Sequence, residues 1–292
     1  MKIALYGKKF SSNFNESISL LIRKLEAVKA EILIHEHFAS FLTGVTGLEP
    51  KDFKEFNHHS GLPDDTDFLF SLGGDGTFLE TLTFVRERSL PVLGINTGRL
   101  GFLANISREE ISEAMDLLFK GEYSLEDRSL IRLTTPDGPL DDFNTALNEV
   151  TIHKQNASMI TIYSELDGEF LNSYWADGLI ISTPTGSTAY SMSAGGPIML
   201  PESRNFIISP ISPHNLTVRP IVVPDDKKLK LKVKSRSDEF LVALDSRSHR
   251  VKTGIELWID KAPYSIKMIK FSSNNFYNTL RNKLMWGMDK RN

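Results

Sequence analysis

The chain has 292 residues, 40% of them hydrophobic and 24% charged, with a formal net charge of −3 and no cysteine. That is enough apolar material for a packed core and a length that suits two domains, so disordered and fibrous classes are excluded. The slightly acidic balance argues against nucleic acid as the main partner, and the missing thiols exclude disulfides, Cys-based zinc sites and a Cys nucleophile.

The amino terminus turns polar at Gly7-Lys8-Lys9, too early for a signal peptide, and no apolar run reaches the roughly 18–20 residues of a membrane span. A soluble cytoplasmic protein with no membrane partner is expected. Lys2 to Tyr6 reads as a first strand, and Asn15 to Ala30 as a helix with Ile18, Leu21, Ile22, Leu25 and Val28 on one face. Asp67 to Leu72 is a second buried strand that stops at Gly73-Gly74, and Thr77 to Arg88 a helix. Pro91 to Ile95 is a third strand. The next helix is expected to start at Ser107 with a capping box closed by Glu110 and to end at Gly121. Strands alternating with helices imply a Rossmann-like parallel sheet.

After about Asp127 the runs become short and β-rich. Pro136-Asp137-Gly138 and Asp167-Gly168 have hairpin-turn chemistry, and Ile160–Leu166, Leu229–Val233, Phe240–Leu244 and Ile255–Ile259 read as strands. This pattern points to an all-β domain of two stacked sheets. Tyr264 to Phe271 reads as one more strand. Phe276, Leu280 and Leu284 fall on one face of a final helix, which is read as closing onto the body of the protein in preference to a basic nucleic-acid helix.

Gly73-Gly74-Asp75-Gly76-Thr77 follows a strand and opens a helix. The glycines permit close backbone approach, and the N–H groups of a helix start favour an anion. Asp75 is out of place in a pure phosphate cradle. It suits proton acceptance from a hydroxyl or retention of Mg²⁺, or it simply caps the helix. The turn lacks the lysine of a P-loop and the spacing of the usual dinucleotide fingerprint. A second turn, Asn96-Thr97-Gly98-Arg99-Leu100-Gly101, could bring the charge of Arg99 to phosphates. Asn148-Glu149 offers donors and acceptors for a base or ribose. In Asp177 to Tyr190, a buried strand runs into Thr183-Pro184-Thr185-Gly186-Ser187-Thr188-Ala189-Tyr190, whose hydroxyls and ring suit a flat heterocycle.

These motifs, in this order and with His214 after them, resemble the NAD kinase family over about residues 68 to 245. GGDGT alone is shared with diacylglycerol-type lipid kinases, whereas TPTGSTAY with the Asn-Glu pair is specific. The resemblance implies a phosphotransferase that moves the terminal phosphate of ATP, or of another triphosphate or polyphosphate, to the 2′-hydroxyl of NAD with Mg²⁺. It implies an α/β domain of residues 1–127 plus 266–292 carrying GGDGT, and a β-sandwich NAD-binding domain of residues 128–265. Asp75 would be catalytic. Gly73, Gly74, Thr77, Arg99 and His214 would bind phosphate or ATP. Gly76 and Thr185 would join the NAD site, with Asn148, Thr188, Ala189 and Tyr190 around adenine, Glu149 on ribose hydroxyls, and Asp177 and Ser193 toward nicotinamide. A homodimer or homotetramer is expected. A lipid kinase and a non-catalytic nucleotide sensor are the competing readings. Asp245 is followed by Ser246 where the family usually has Gly, so that hairpin is expected to differ.

Overall fold

A computed structural model describes residues 1–138, 140–272 and 275–287. Residues 273, 274 and 288–292 of the expected first domain, and residue 139 of the second, lie outside the described residues. The chain divides into two compact units, Met1–Asp127 with Ile266–Asn292, and Arg128–Ser265.

The first unit runs β1 (Lys2–Gly7), α1 (Asn15–Ala27), β2 (Glu31–His35), α2 (Glu36–Thr46), β3 (Phe53–Phe56), β4 (Phe68–Gly73), α3 (Asp75–Val85), β5 (Val92–Asn96) and α4 (Ile111–Lys120). Its strands pair in parallel in the order β3-β2-β1-β4-β5. Strands β4 and β5 are buried along their whole length, as parallel strands covered on both faces must be. The core gathers Ile3, Leu5, Phe70, Leu72, Leu93 and Ile95 against Ile18, Leu21, Leu25 of α1 and Met115, Leu118 of α4. The strand order reverses between β1 and β4, and in such sheets ligands bind beyond the carboxyl ends of the strands at that point.

The second unit takes in β7 (Thr145–Ala146), β8 (Glu149–His153), β9 (Ile160–Leu166), β10 (Glu169–Ala176), β11 (Gly178–Ser182), α5 (Tyr190–Ser193), β12 (Asn205–Ile211), β13 (Ile221–Pro224), β14 (Leu229–Lys234), β15 (Glu239–Leu244) and β16 (Arg247–Lys252). Two long strands, β6 (Ser124–Thr134) and β17 (Glu256–Lys270), belong partly to each unit, and α6 (Phe276–Leu284) returns to the first. One antiparallel sheet has the order β13-β12-β11-β8-β15-β16. In the other, β10, β9, β14 and the first part of β17 are neighbours. Ile152, Leu179, Phe206 and Val242 of the first sheet share a core with Ile162, Leu231 and Leu257 of the second, which makes this unit a sandwich. Alternating burial along β14 and β15 shows the one-sided pattern of antiparallel sheets.

Two expectations are corrected. The strands read at Ile255–Ile259 and Tyr264–Phe271 are one 15-residue strand, because Pro263 sits in β17 without ending it. Helix α4 begins at Ile111, and only half of the capping box forms. The Glu110 carboxylate accepts the Ser107 N–H at 2.8 Å, but Ser107 meets Glu110 through its carbonyl and not its hydroxyl. The turn at Pro136-Asp137 is closed by paired backbone bonds between Thr135 and Gly138 (3.0 Å each) and by the Thr135 hydroxyl on the Gly138 carbonyl (2.8 Å), and it lies between β6 and β7, which pair antiparallel at Ile131–Ala146 and Arg132–Thr145. Asp167-Gly168 joins β9 to β10 with both residues left-handed, at φ 51° and 85°. Among the described residues, no helix is long and apolar enough to cross a membrane.

Candidate functional site

Helix α3 starts at Asp75, two residues earlier than its apolar spacing suggests, and Gly74 is its N-cap. Asp75 does not cap it. Its Oδ1 accepts the N–H groups of Leu103 (2.9 Å) and Ala104 (3.0 Å), and its Oδ2 accepts that of Phe102 (2.9 Å). The ammonium of Lys283, from α6, stands 3.2 Å from Oδ2. Four donors on two oxygens fix the carboxylate in orientation. The N–H donors come from the loop after β5, which Asn96 shapes by donating from its side chain to the Arg99 carbonyl (2.5 Å) and accepting the Gly98 N–H (2.6 Å).

Gly73 is packed, since a Cβ there would meet the Thr77 hydroxyl at 2.3 Å, whereas Gly74 and Gly76 border open space. Thr77 is buried against that turn. Arg99 is exposed. Beside this loop a cleft of about 720 Å³ opens between Asn96, Gly98 and Ser107 on one side and Asn13, Asn278 and Asn282 on the other. Its amide-rich walls suit a polar occupant. The first unit thus brings together Gly73, Gly74, Asp75, Gly76 and Thr77 at the start of one helix.

In the second unit the Asn148-Glu149 pair and the 183–190 segment are built as one body. The N–H of Thr183 donates to the Asn148 carbonyl (2.9 Å), and the Thr183 hydroxyl to that of Leu147 (2.5 Å). Gly186 passes so close that a Cβ would lie 2.1 Å from the Asn148 carbonyl oxygen. A 3₁₀ turn over Thr185–Thr188 leads into the single turn of α5, with Thr185 and Ser187 buried and Tyr190 and Ser193 exposed. Arg128, itself 9% exposed, donates to the Thr185 hydroxyl at 3.3 Å.

Asp245 organises this body from the other side. It occupies the two-residue turn between β15 and β16 in the left-handed conformation, at φ 52°. Its carboxylate accepts the N–H groups of Leu147 (2.9 Å), Asn148 (2.8 Å) and Glu149 (3.2 Å). Burial pushes its carboxyl up, against the pull of those three donors. Glu149 lies beside it, with an Oε2 that is buried and has no partner. Burial, then the Asp245 charge, push the Glu149 carboxyl up to about 8, and only the Tyr190 N–H pulls the other way. A carboxyl of this kind holds a proton at neutral pH and can both donate to and accept from a sugar hydroxyl.

Asp177 and His214 stand apart from that group. Asp177 precedes β11 and pairs with Lys154 at 2.5 Å, while the 183–190 segment leaves the other end of the strand. Five residues at about 3.3 Å each separate the two ends by roughly 17 Å. His214 is exposed, its N–H bonded to the Trp175 carbonyl (2.9 Å) and its ring 4.2 Å from the indole. Arg128, Asp245 and Lys283 are parts of these arrangements that sequence reading did not place in a site. A left-handed Asp in a two-residue hairpin was the available signal for Asp245. Nothing local marks the other two.

Among the described residues, no group of three or more His, Asp or Glu could hold a metal ion. Asp75 is the sole carboxylate of the glycine-rich turn and already accepts from four donors, so a cation there would take most of its ligands from phosphate oxygens and water, as Mg²⁺ does.

Comparison with known proteins gives the family. Residues 27–123 match the ATP-NAD kinase N-terminal domain and residues 147–271 the ATP-NAD kinase C-terminal domain. The chain is 44% identical over 293 residues to the NAD kinase of Cytophaga hutchinsonii and 46% identical over 295 residues to that of Flavobacterium psychrophilum, with all of each chain covered. The fold is similar to that of yeast NADH kinase complexed with NADH (TM-score 0.85, 23% identity, 99% of this chain and 89% of that one). It is also similar to an NAD kinase from Archaeoglobus fulgidus in complex with ATP (TM-score 0.73, 26% identity, 96% and 99%). With both halves matched and full-length relatives well above 40% identity, the chain belongs to the ATP-NAD kinase family and is a phosphotransferase that acts on NAD.

Proposed function

We propose that the chain moves the γ-phosphate of ATP to the 2′-hydroxyl of the adenosine ribose of NAD with Asp75 as the carboxylate that acts on that hydroxyl. The observation that carries this reading is the grip on Asp75. It sits at an anion-favouring helix start, held by three backbone N–H groups, with open space at Gly74 and Gly76. The hydroxyl oxygen attacks the γ-phosphorus, the bond to the β–γ bridging oxygen breaks, ADP leaves, and the hydroxyl proton passes to Asp75 and on to solvent. Such a transfer depends on alignment and charge more than on covalent help. Gly73, Gly74 and Thr77 line the phosphates, with Arg99 adding charge. Asp75, with the phosphate oxygens, would hold Mg²⁺, which would supply charge neutralisation on the triphosphate.

The remaining roles follow the same reading. Residues 128–265 form the NAD-binding domain, and residues 1–127 with 266–292 the domain of the phosphate turn. Asn148, Thr188, Ala189 and Tyr190 receive adenine, Glu149 the ribose, and Gly76 and Thr185 also bind NAD. Asp177 and Ser193 lie toward nicotinamide, and His214 toward the phosphates. Another triphosphate or polyphosphate is the alternative donor. The protein works in the cytoplasm as a homodimer or homotetramer.

The test is NADP formation by purified protein with ATP, NAD and Mg²⁺, beside the variants Asp75→Asn and Asp75→Ala. Both variants are expected to lose about 10²–10⁴-fold in kcat while still binding NAD. Near-normal turnover by either one removes Asp75 from the chemistry.

A further inference from the structure

Lys283 lies 208 residues from Asp75 in sequence, yet among the described residues its ammonium is the single side-chain donor to that carboxylate, 3.2 Å from Oδ2. The same ammonium stands 4.7 Å from the centroid of the Phe102 ring, whose own backbone N–H donates to Oδ2. Phe276, at the start of α6, lies 6.1 Å ring to ring from Phe102. Helix α6 is anchored by buried Leu280, and its first turn by the Asn275 side chain, which accepts the Asn278 N–H at 2.8 Å. Lysine 283 is therefore held between an anion and an aromatic face, with a third of its side chain exposed.

This placement answers a physical difficulty in the glycine-rich turn. The start of α3 favours an anion, but the Asp75 carboxylate placed there repels one. The turn itself contains no lysine or arginine. We infer that Lys283 is a positioning residue for Asp75: it cancels the carboxylate's charge toward an incoming triphosphate and helps set the angle of Oδ2. The inference rests on the reading that Asp75 faces the triphosphate, and its predicted signature is selective. Loss of Lys283 weakens ATP and leaves NAD alone, and the loss requires the charge at residue 75.

The experiment measures ATP and NAD affinity by calorimetry for the full chain, Lys283→Met, Lys283→Arg, Asp75→Asn and the Asp75→Asn/Lys283→Met double variant. Thermal midpoints serve as a folding control. Lys283→Met is expected to weaken ATP about tenfold or more with NAD within about twofold, and Lys283→Arg to stay near the parent. In the Asp75→Asn background the same change is expected to cost little, because neighbouring residues couple. An ATP effect below about twofold, an equal loss for NAD, or the same factor in both backgrounds overturns the inference. Kinase assays on the same proteins separate the two readings. Asp75→Asn with normal turnover overturns the role of Asp75 in the chemistry whatever the ATP affinities do. An inactive Asp75→Asn beside a Lys283→Met that binds ATP normally overturns the role of Lys283 alone.

Discussion

A Cβ at position 101 would stand 1.9 Å from the Oδ1 of Asp75, so the two residues fit only while residue 101 is glycine. Gly101 has no left-handed φ, and its identity is set by the carboxylate pressed against it. Gly101→Ala is therefore expected to displace Asp75 with the fold kept. A shift of about 1 Å at a reacting group costs on the order of 10²-fold. Steady-state kinetics is expected to show that loss in kcat, with an unchanged circular dichroism spectrum.

Glu149 offers a stability test that needs no substrate. Its carboxyl is raised from an ordinary 4.5 to about 8, chiefly by burial and then by Asp245. Between those values the folded chain holds a proton that the unfolded chain releases. The contribution to stability is full below 4.5 and is lost as pH rises through about 8. Glu149→Gln removes this dependence. Urea denaturation from pH 5 to 9 is expected to show the stability of the parent falling, relative to Glu149→Gln, as pH rises. A constant difference across that range places Glu149 in the ordinary carboxylate range.

Asp245 satisfies three backbone donors of the 147–149 segment from a buried position. Asp245→Ala is expected to destabilise the protein by about 3 kcal/mol or more, since it unpairs three donors and each buried donor left unpaired costs about 1–3 kcal/mol. Asp245→Asn keeps one acceptor oxygen and removes the charge that raises Glu149. Its stability is expected to fall less, and the Glu149 titration to move down in pH. Denaturation of both variants across pH checks the two effects separately.

Gly186 is the corresponding close contact of the second unit. A methyl group there would meet the Asn148 carbonyl oxygen at 2.1 Å and press the 183–190 segment away from the Asn-Glu pair. Gly186→Ala is expected to raise the KM for NAD about tenfold or more while the KM for ATP stays unchanged, measured with each substrate varied in turn.

Much of the fold was legible because its signals are local. Short β-rich runs between turn signals fixed β14 and β15 within a residue or so, and Asp167-Gly168 named its own hairpin. The element ends were less legible. Helix α3 starts at Asp75 because the turn packs Gly73 against Thr77, a detail that apolar spacing does not encode. The segments read as separate strands at Ile255–Ile259 and Tyr264–Phe271 form one strand, β17, which runs through Pro263. The glycine-rich turn, the Asn-Glu pair and the Thr/Ser-rich segment were visible as motifs because each is contiguous.

The sequence by itself determined the family, the two-part α/β and β-sandwich architecture, and which short segments carry chemistry, because those follow from local periodicity and from contiguous residues. Only the tertiary structure decided what surrounds each key side chain. The donors on Asp75 come from residues 27 to 208 positions away, and those on Asp245 from 96 to 98 positions away. Hydrogen bonds of that span are created by packing, and the burial that raises Glu149 is likewise a property of the folded chain.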